Sequence, residues 1–97
     1  MMFGYIFGRL IAYIPMPDLM DQGSVAEFIP CDGEEFDLVF YDPEFENIKQ
    51  AILHEQIHAL FYRIGLGQTD LSHDIEEQIC ETISVFLCEN YNISAKV

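Results

Sequence analysis

The chain is 97 residues long, 51% hydrophobic, and carries 17 acidic against 4 basic side chains, a formal net charge of −13. That length holds one modest core and no second lobe, so residues 1–97 are expected to form a single domain. The basic residues Arg9, Lys49, Arg63 and Lys96 do not cluster, which argues against a nucleic acid partner; the acidic surface serves solubility and weakly favours basic peptides.

The first sixteen residues, Met1 to Met16, are rich in apolar and aromatic side chains, but Arg9 interrupts the run and Pro15 and Pro17 end it. No small-residue cleavage site follows Ala12-Tyr13-Ile14, so neither a signal segment nor a membrane span is expected. Leu10 to Met16 reads as a strand, and residues 1–9 as a disordered or partner-binding tip whose apolar character suits a homo-oligomer. Gly23-Ser24 then precedes a strand over Val25 to Ile29, and Cys31-Asp32-Gly33-Glu34 forms a turn. Phe36 to Tyr41 alternates Phe36, Leu38 and Phe40 against Asp37, Val39 and Tyr41, as a half-buried strand does.

A helix is predicted to begin with Asp42 as its cap and Pro43 in its first turn, with Glu44 and Glu46 near the positive end of the macrodipole. It runs to Ile64 and stops at Gly65. In its second half Leu53, Ile57, Leu60, Phe61 and Ile64 surround the axis, which reads as a helix buried on most sides. Within it lies His54-Glu55-Gln56-Ile57-His58, the H-E-x-x-H pattern of zinc peptidases. Residues i and i+4 stack on one helical face, so both imidazoles reach one metal while Glu55 projects beside it. The plainer alternative is a pair of neutral core histidines satisfied by hydrogen bonds.

Gly65 to Asp70 reads as a short helix–helix turn, which makes the next helix antiparallel to the first. That helix is capped by Ser72 or Asp74 and carries Ile75, Ile79, Ile83, Phe86 and Leu87 at helical spacing. A zinc site with an open position needs a third protein ligand. Glu76, Glu77 and Glu81 compete for that place, and a solvated acidic first turn is the alternative for each. Glu77 and Glu81 are four apart on one face, so one can bind metal while the other orients a histidine. On a helical wheel Glu76 points closer to the apolar face than Glu77 does. Cys31, Cys80 and Cys88 lack zinc-type spacing, and Cys80 and Cys88 stand roughly 12 Å apart along the helix, too far for a disulfide. Reduced thiols in a cytoplasmic protein fit best.

Taken together, the strands, the H-E-x-x-H helix and the Glu-bearing helix from about Ile11 to Tyr91 resemble the minimal gluzincins, including small phage-type and ImmA/IrrE-like metallopeptidases. A histidine six residues beyond the motif, as in another group of zinc peptidases, is absent, because that position is Ile64. The resemblance implies zinc (Zn2+) held by His54, His58 and a glutamate, with Glu55 as general base in peptide hydrolysis. Glu77-Gln78-Ile79-Cys80-Glu81 is similar to the gluzincin E-x-x-x-D/E arrangement, with Glu77 as ligand and Glu81 behind a histidine; Glu81 and Glu76 are the alternatives. In such folds the strand nearest the site offers its edge to an extended substrate, a role the Phe36–Tyr41 segment could take. Larger gluzincins bring a His or Tyr from a separate domain to the oxyanion; here Tyr62, His73 and Tyr91 are the candidates.

The expected fold is therefore α+β, a small sheet of two to four strands packed on two central helices in a minimal zincin-like domain. The expected function is zinc-dependent hydrolysis of a peptide or protein substrate. The alternatives are a non-catalytic zinc-containing regulator or adaptor that binds a protein partner through its acidic surface, and an acidic interaction protein without metal.

Overall fold

The computed structural model describes residues 2–65 and 72–92. The order is β1 (Met2–Ile6), β2 (Arg9–Pro15), a single 3-10 turn (Met20–Gln22), β3 (Ala26–Ile29), β4 (Phe36–Tyr41), α1 (Ile48–Ile64) and α2 (His73–Asn90). The strands make one mixed sheet in the order β1-β2-β4-β3. β1 and β2 are antiparallel, β2 and β4 parallel, and β3 and β4 antiparallel. This is an α+β fold, and the strands expected from the sequence lie within one residue of those found.

Side chains alternate across a sheet, and paired residues share a face. Ile11 and Tyr13 on β2, Val39 and Tyr41 on β4 and Phe28 on β3 lie on the near face, where they pack against Ile48, Ile52 and Ala59 of α1. The far face carries Phe3 and Tyr5 of β1, Leu10, Ala12 and Ile14 of β2, and Phe36, Leu38 and Phe40 of β4. α1 lies against β1, β3 and β4, and α2 lies against α1, so the layers run sheet, α1, α2. The α1–α2 pair is antiparallel: Gln50, His54 and His58 meet Glu81, Glu77 and Glu76 in reverse order. α1 ends at Gly65, whose φ of 84° closes it in the left-handed conformation that glycine adopts without strain. The linker beyond it, residues 66–71, lies outside the described residues. Among the described residues no helix is long and apolar enough to cross a membrane.

Three expectations are corrected. Residues 2–6 are not a disordered tip but strand β1, joined to β2 by the two-residue turn Phe7-Gly8. Both turn residues have positive φ, 50° and 79°, the conformation of the tightest hairpins; phenylalanine is an unusual occupant of the first position, so the turn carried no sequence signal. α1 begins at Ile48 rather than beside Pro43. Asp42 does accept backbone N–H groups, but they belong to Met20 and Glu44 (each 3.0 Å), and the Phe45 N–H closes on the Asp42 carbonyl. Its carboxylate thereby pins a turn to the 3-10 segment, and Glu44 and Glu46 precede the helix without entering its first turn. Finally, β4 is internal; the sheet edge beside the helices is β3.

Asp37 is the one acidic residue on the near face of β4 and is 1% exposed. It accepts hydrogen bonds from Arg9 Nε (3.0 Å), Arg63 Nε (2.9 Å), Arg63 Nη2 (2.5 Å) and the Cys31 N–H (2.9 Å). The charge thus ties β2, β4, the β3–β4 turn and the end of α1 at one point. Burial alone would raise its carboxyl pKa, but the bonds from Arg63, Arg9 and Cys31 outweigh burial and hold it at about 2. A native pKa below the unfolded value of 3.8 gives stability that is present above about pH 4 and lost as pH falls toward 2. Asp37→Asn is expected to cost about 3 kcal/mol at neutral pH, because two guanidinium groups lose their partner. Urea unfolding from pH 7 to pH 2 checks this: wild type should weaken through the acidic window, and the variant should weaken less there.

Candidate metal centre

The second layer of the fold brings the motif residues to the seam between α1 and α2. His54 and His58 stack one helical turn apart, with ring centroids 4.9 Å apart and their Nε2 atoms 3.1 Å from each other. Glu77 reaches across from α2, with Oε1 2.6 Å from His58 Nε2 and Oε2 3.3 Å from His54 Nε2. One ligand atom from each of the three residues lies within 4.8 Å of the others, so the group can hold a metal ion. Tetrahedral ligands about 2 Å from a metal stand roughly 3.3 Å from one another, which is the spacing seen here.

The rear of each ring is also engaged. His54 Nδ1 lies 2.9 Å from Glu81 Oε2, and His58 Nδ1 lies 2.5 Å from Glu76 Oε2. An ionised carboxylate only accepts, so this hydrogen-bond network assigns the proton of each neutral ring to Nδ1 and leaves the Nε2 lone pair facing the centre. Glu77 adds a third acceptor, and no donor stands among them. A cation satisfies such a cluster, as does one added proton on His58 Nε2, donated to Glu77 Oε1 at 2.6 Å; a pair of neutral rings does not. The donor set therefore fits a metal better than a pair of neutral core histidines.

On α2 Ile79, Val85 and Leu87 are half-buried, and the fully buried residues are Cys80 and Ser84. Those small side chains let the two helices approach closely enough for the carboxylates to reach the imidazoles. The helix starts as expected, with Ser72 Oγ accepting the Ile75 N–H at 3.3 Å. The Cys80 thiol is pushed up to about 12 by burial and by the neighbouring Glu76, Glu77 and Glu55 carboxylates, which keeps it protonated and inert at neutral pH. Cys31, Cys80 and Cys88 are all free thiols.

Glu55 stands beside the cluster without belonging to it. Its Oε2 accepts the Phe28 N–H of β3 at 3.0 Å. Burial pushes its carboxyl above the ordinary range, against the opposite pull of His58, His54 and the Phe28 N–H. Two hollows meet at Glu55 along the β3 edge. One, about 340 Å³, lies toward His58, Tyr62, His73 and Glu76; the other, about 310 Å³, lies toward His54, Gln50, Phe45 and Glu81.

The structure brings His54, His58, Glu77, Glu81 and Glu55 together in the arrangement expected from the sequence. Glu76, an alternative ligand by sequence, instead braces His58 from behind; its wheel position toward the apolar face was the sign that it points into the seam. Tyr62 and His73 line the hollow beside Glu55, but the Tyr62 hydroxyl donates to Asp32 at 2.5 Å. Tyr91 lies elsewhere, with Lys49 and Cys88 near the opposite end of α2. The Phe28–Glu55 bond had no sequence signal, because it depends on which strand is outermost. Compared with protein-family models, curated proteins and solved structures, the chain matches none.

If the assignment of roles is right, Glu77→Gln should reduce divalent-metal affinity most. Glu81→Gln and Glu76→Gln should each reduce it by about 10- to 100-fold, since they orient ligands without touching the ion. Competition titration against a chromophoric chelator reads all three; a larger loss for Glu76→Gln than for Glu77→Gln would exchange their roles.

Proposed function

We propose that the cluster holds zinc and that the protein is a small zinc-dependent metallopeptidase of minimal zincin-like type. The observation that carries this reading is the placement of Glu55: a half-buried carboxylate beside a three-ligand cluster, in the groove along a sheet edge, and outside the ligand set. A closed structural site needs no such group for holding the metal. When bound, zinc supplies Lewis acidity that polarises a carbonyl and lowers the pKa of water to about 7. Glu55 would take the proton from the attacking water and deliver it to the leaving amine, and its raised pKa suits both halves of that task. The β3 edge would hold an extended peptide by main-chain hydrogen bonds, so Glu55 would release the Phe28 N–H as substrate enters. His73, which lines the same hollow, would be a candidate to meet the carbonyl oxygen. The net charge of −13 favours basic peptides, and the free thiols fit a reducing compartment such as the cytoplasm.

A second reading, a zinc-containing regulator that binds a protein partner through its acidic surface, draws support from the Phe28–Glu55 hydrogen bond, which gives Glu55 a structural use. One comparison separates them. The purified protein should carry about one zinc per chain, and Glu55→Gln should keep that zinc while lowering cleavage of a mixed peptide library by about 10² to 10⁴. Equal, negligible cleavage by wild type and variant, both zinc-loaded, favours the regulator.

A further inference from the structure

Among the described residues the far face of the sheet has no helix over it, because α1 packs on the near face and α2 packs on α1. Its centre is apolar: Ala12 is buried and Leu38 and Phe40 are half-buried among neighbouring side chains of the same face. At its β1 margin Phe3 is 38% and Tyr5 69% exposed. A chain with 17 acidic residues would be expected to show several of them on any free surface, yet the strands place only Glu27 on this face, at the β3 margin. The charge that balances Arg9 and Arg63, Asp37, is on the other side of the sheet. An apolar sheet face left to water is the mark of an interface.

We infer that this face is the contact surface of a homodimer, in which the sheets of two copies pack face to face with their metal-binding sides turned outward. The occupant follows from charge and shape. A basic partner would be drawn to the acidic surfaces and would gain nothing from a neutral patch. A second copy presents the same neutral, apolar face, and a two-fold axis makes such a face self-complementary. It also keeps the two sets of negative charges as far apart as the molecule permits. Four strands about 4.8 Å apart and about six residues long cover roughly 400 Å² in projection. The corrugated surface of two such faces, with the protruding Phe3 and Tyr5, reaches about 1,200 Å² in total, where stable specific interfaces begin. Sheets paired in this way sit about 10 Å apart with interdigitated side chains, which converts the exposed layer into a second core.

The test is the mass of the full, metal-loaded chain by size-exclusion chromatography with light scattering, at about 0.15 M salt so that charge repulsion is screened. The expected mass is twice 11.2 kDa. Leu38→Lys, at the centre of the face, should raise the dimer dissociation constant at least about tenfold. Because a central substitution can also impair folding, the double variant Phe3→Lys, Tyr5→Lys is read alongside it; both positions are exposed, so circular dichroism should remain that of wild type while the dimer weakens. A wild-type mass of 11.2 kDa at about 100 µM, a concentration at which a stable specific dimer is assembled, overturns the inference. So does a dimer that the folded lysine variants leave intact, which would place the contact elsewhere.

Discussion

Three lone-pair acceptors aimed at one point, His54 Nε2, His58 Nε2 and the Glu77 carboxylate, set the terms for the rest of the molecule. Such a group is unfavourable unless a cation or a proton joins it, and its cost grows with burial. Glu76 and Glu81 deepen that dependence: by holding the Nδ1 protons they prevent either ring from turning a donor toward the centre. The same three glutamates are what α2 brings to the α1 histidines; Cys80 and Ser84 are its fully buried residues, and Ile79, Val85 and Leu87 are half-buried. On the proposed reading, a bound metal would be coupled to the docking of α2, because its ligands would come from both helices.

α1, by contrast, is held on the sheet by apolar packing of Ile52, Ala59 and Ile48 and by the Arg63–Asp37 pair at its far end. The site is divided between the two helices: α1 carries Glu55, His54 and His58, and α2 carries Glu77, Glu76 and Glu81. Glu55 also lines both hollows along β3.

Much of this was legible in the chain. The alternation in Phe36–Tyr41 located β4 to the residue, and Ser72 marked the start of α2, because each rests on short-range geometry. His54 and His58 were legible because a spacing of four residues on a helix determines a shared face; the same spacing paired Glu77 with Glu81, but the choice of Glu77 over Glu76 and Glu81 came from the resemblance to gluzincins. What failed was long-range or conformationally unusual. Asp42 and Pro43 form as good a turn as a helix start, and the choice was made by Met20, twenty-two residues away. The Phe7-Gly8 hairpin needed positive φ at a phenylalanine, which no propensity favours. Strand order, and with it the edge role of β3 and the open far face, depends on a parallel β2–β4 pairing that local sequence cannot express.

The most direct test of this account is backbone hydrogen exchange of the metal-loaded protein against the same protein stripped by a chelator. The expected result is that removal of the ion abolishes protection across α2, residues 73–90, while the sheet and α1 residues 48–53 keep theirs. Protection of α2 that is identical with and without metal, or a chain that never acquires a metal to strip, would contradict it.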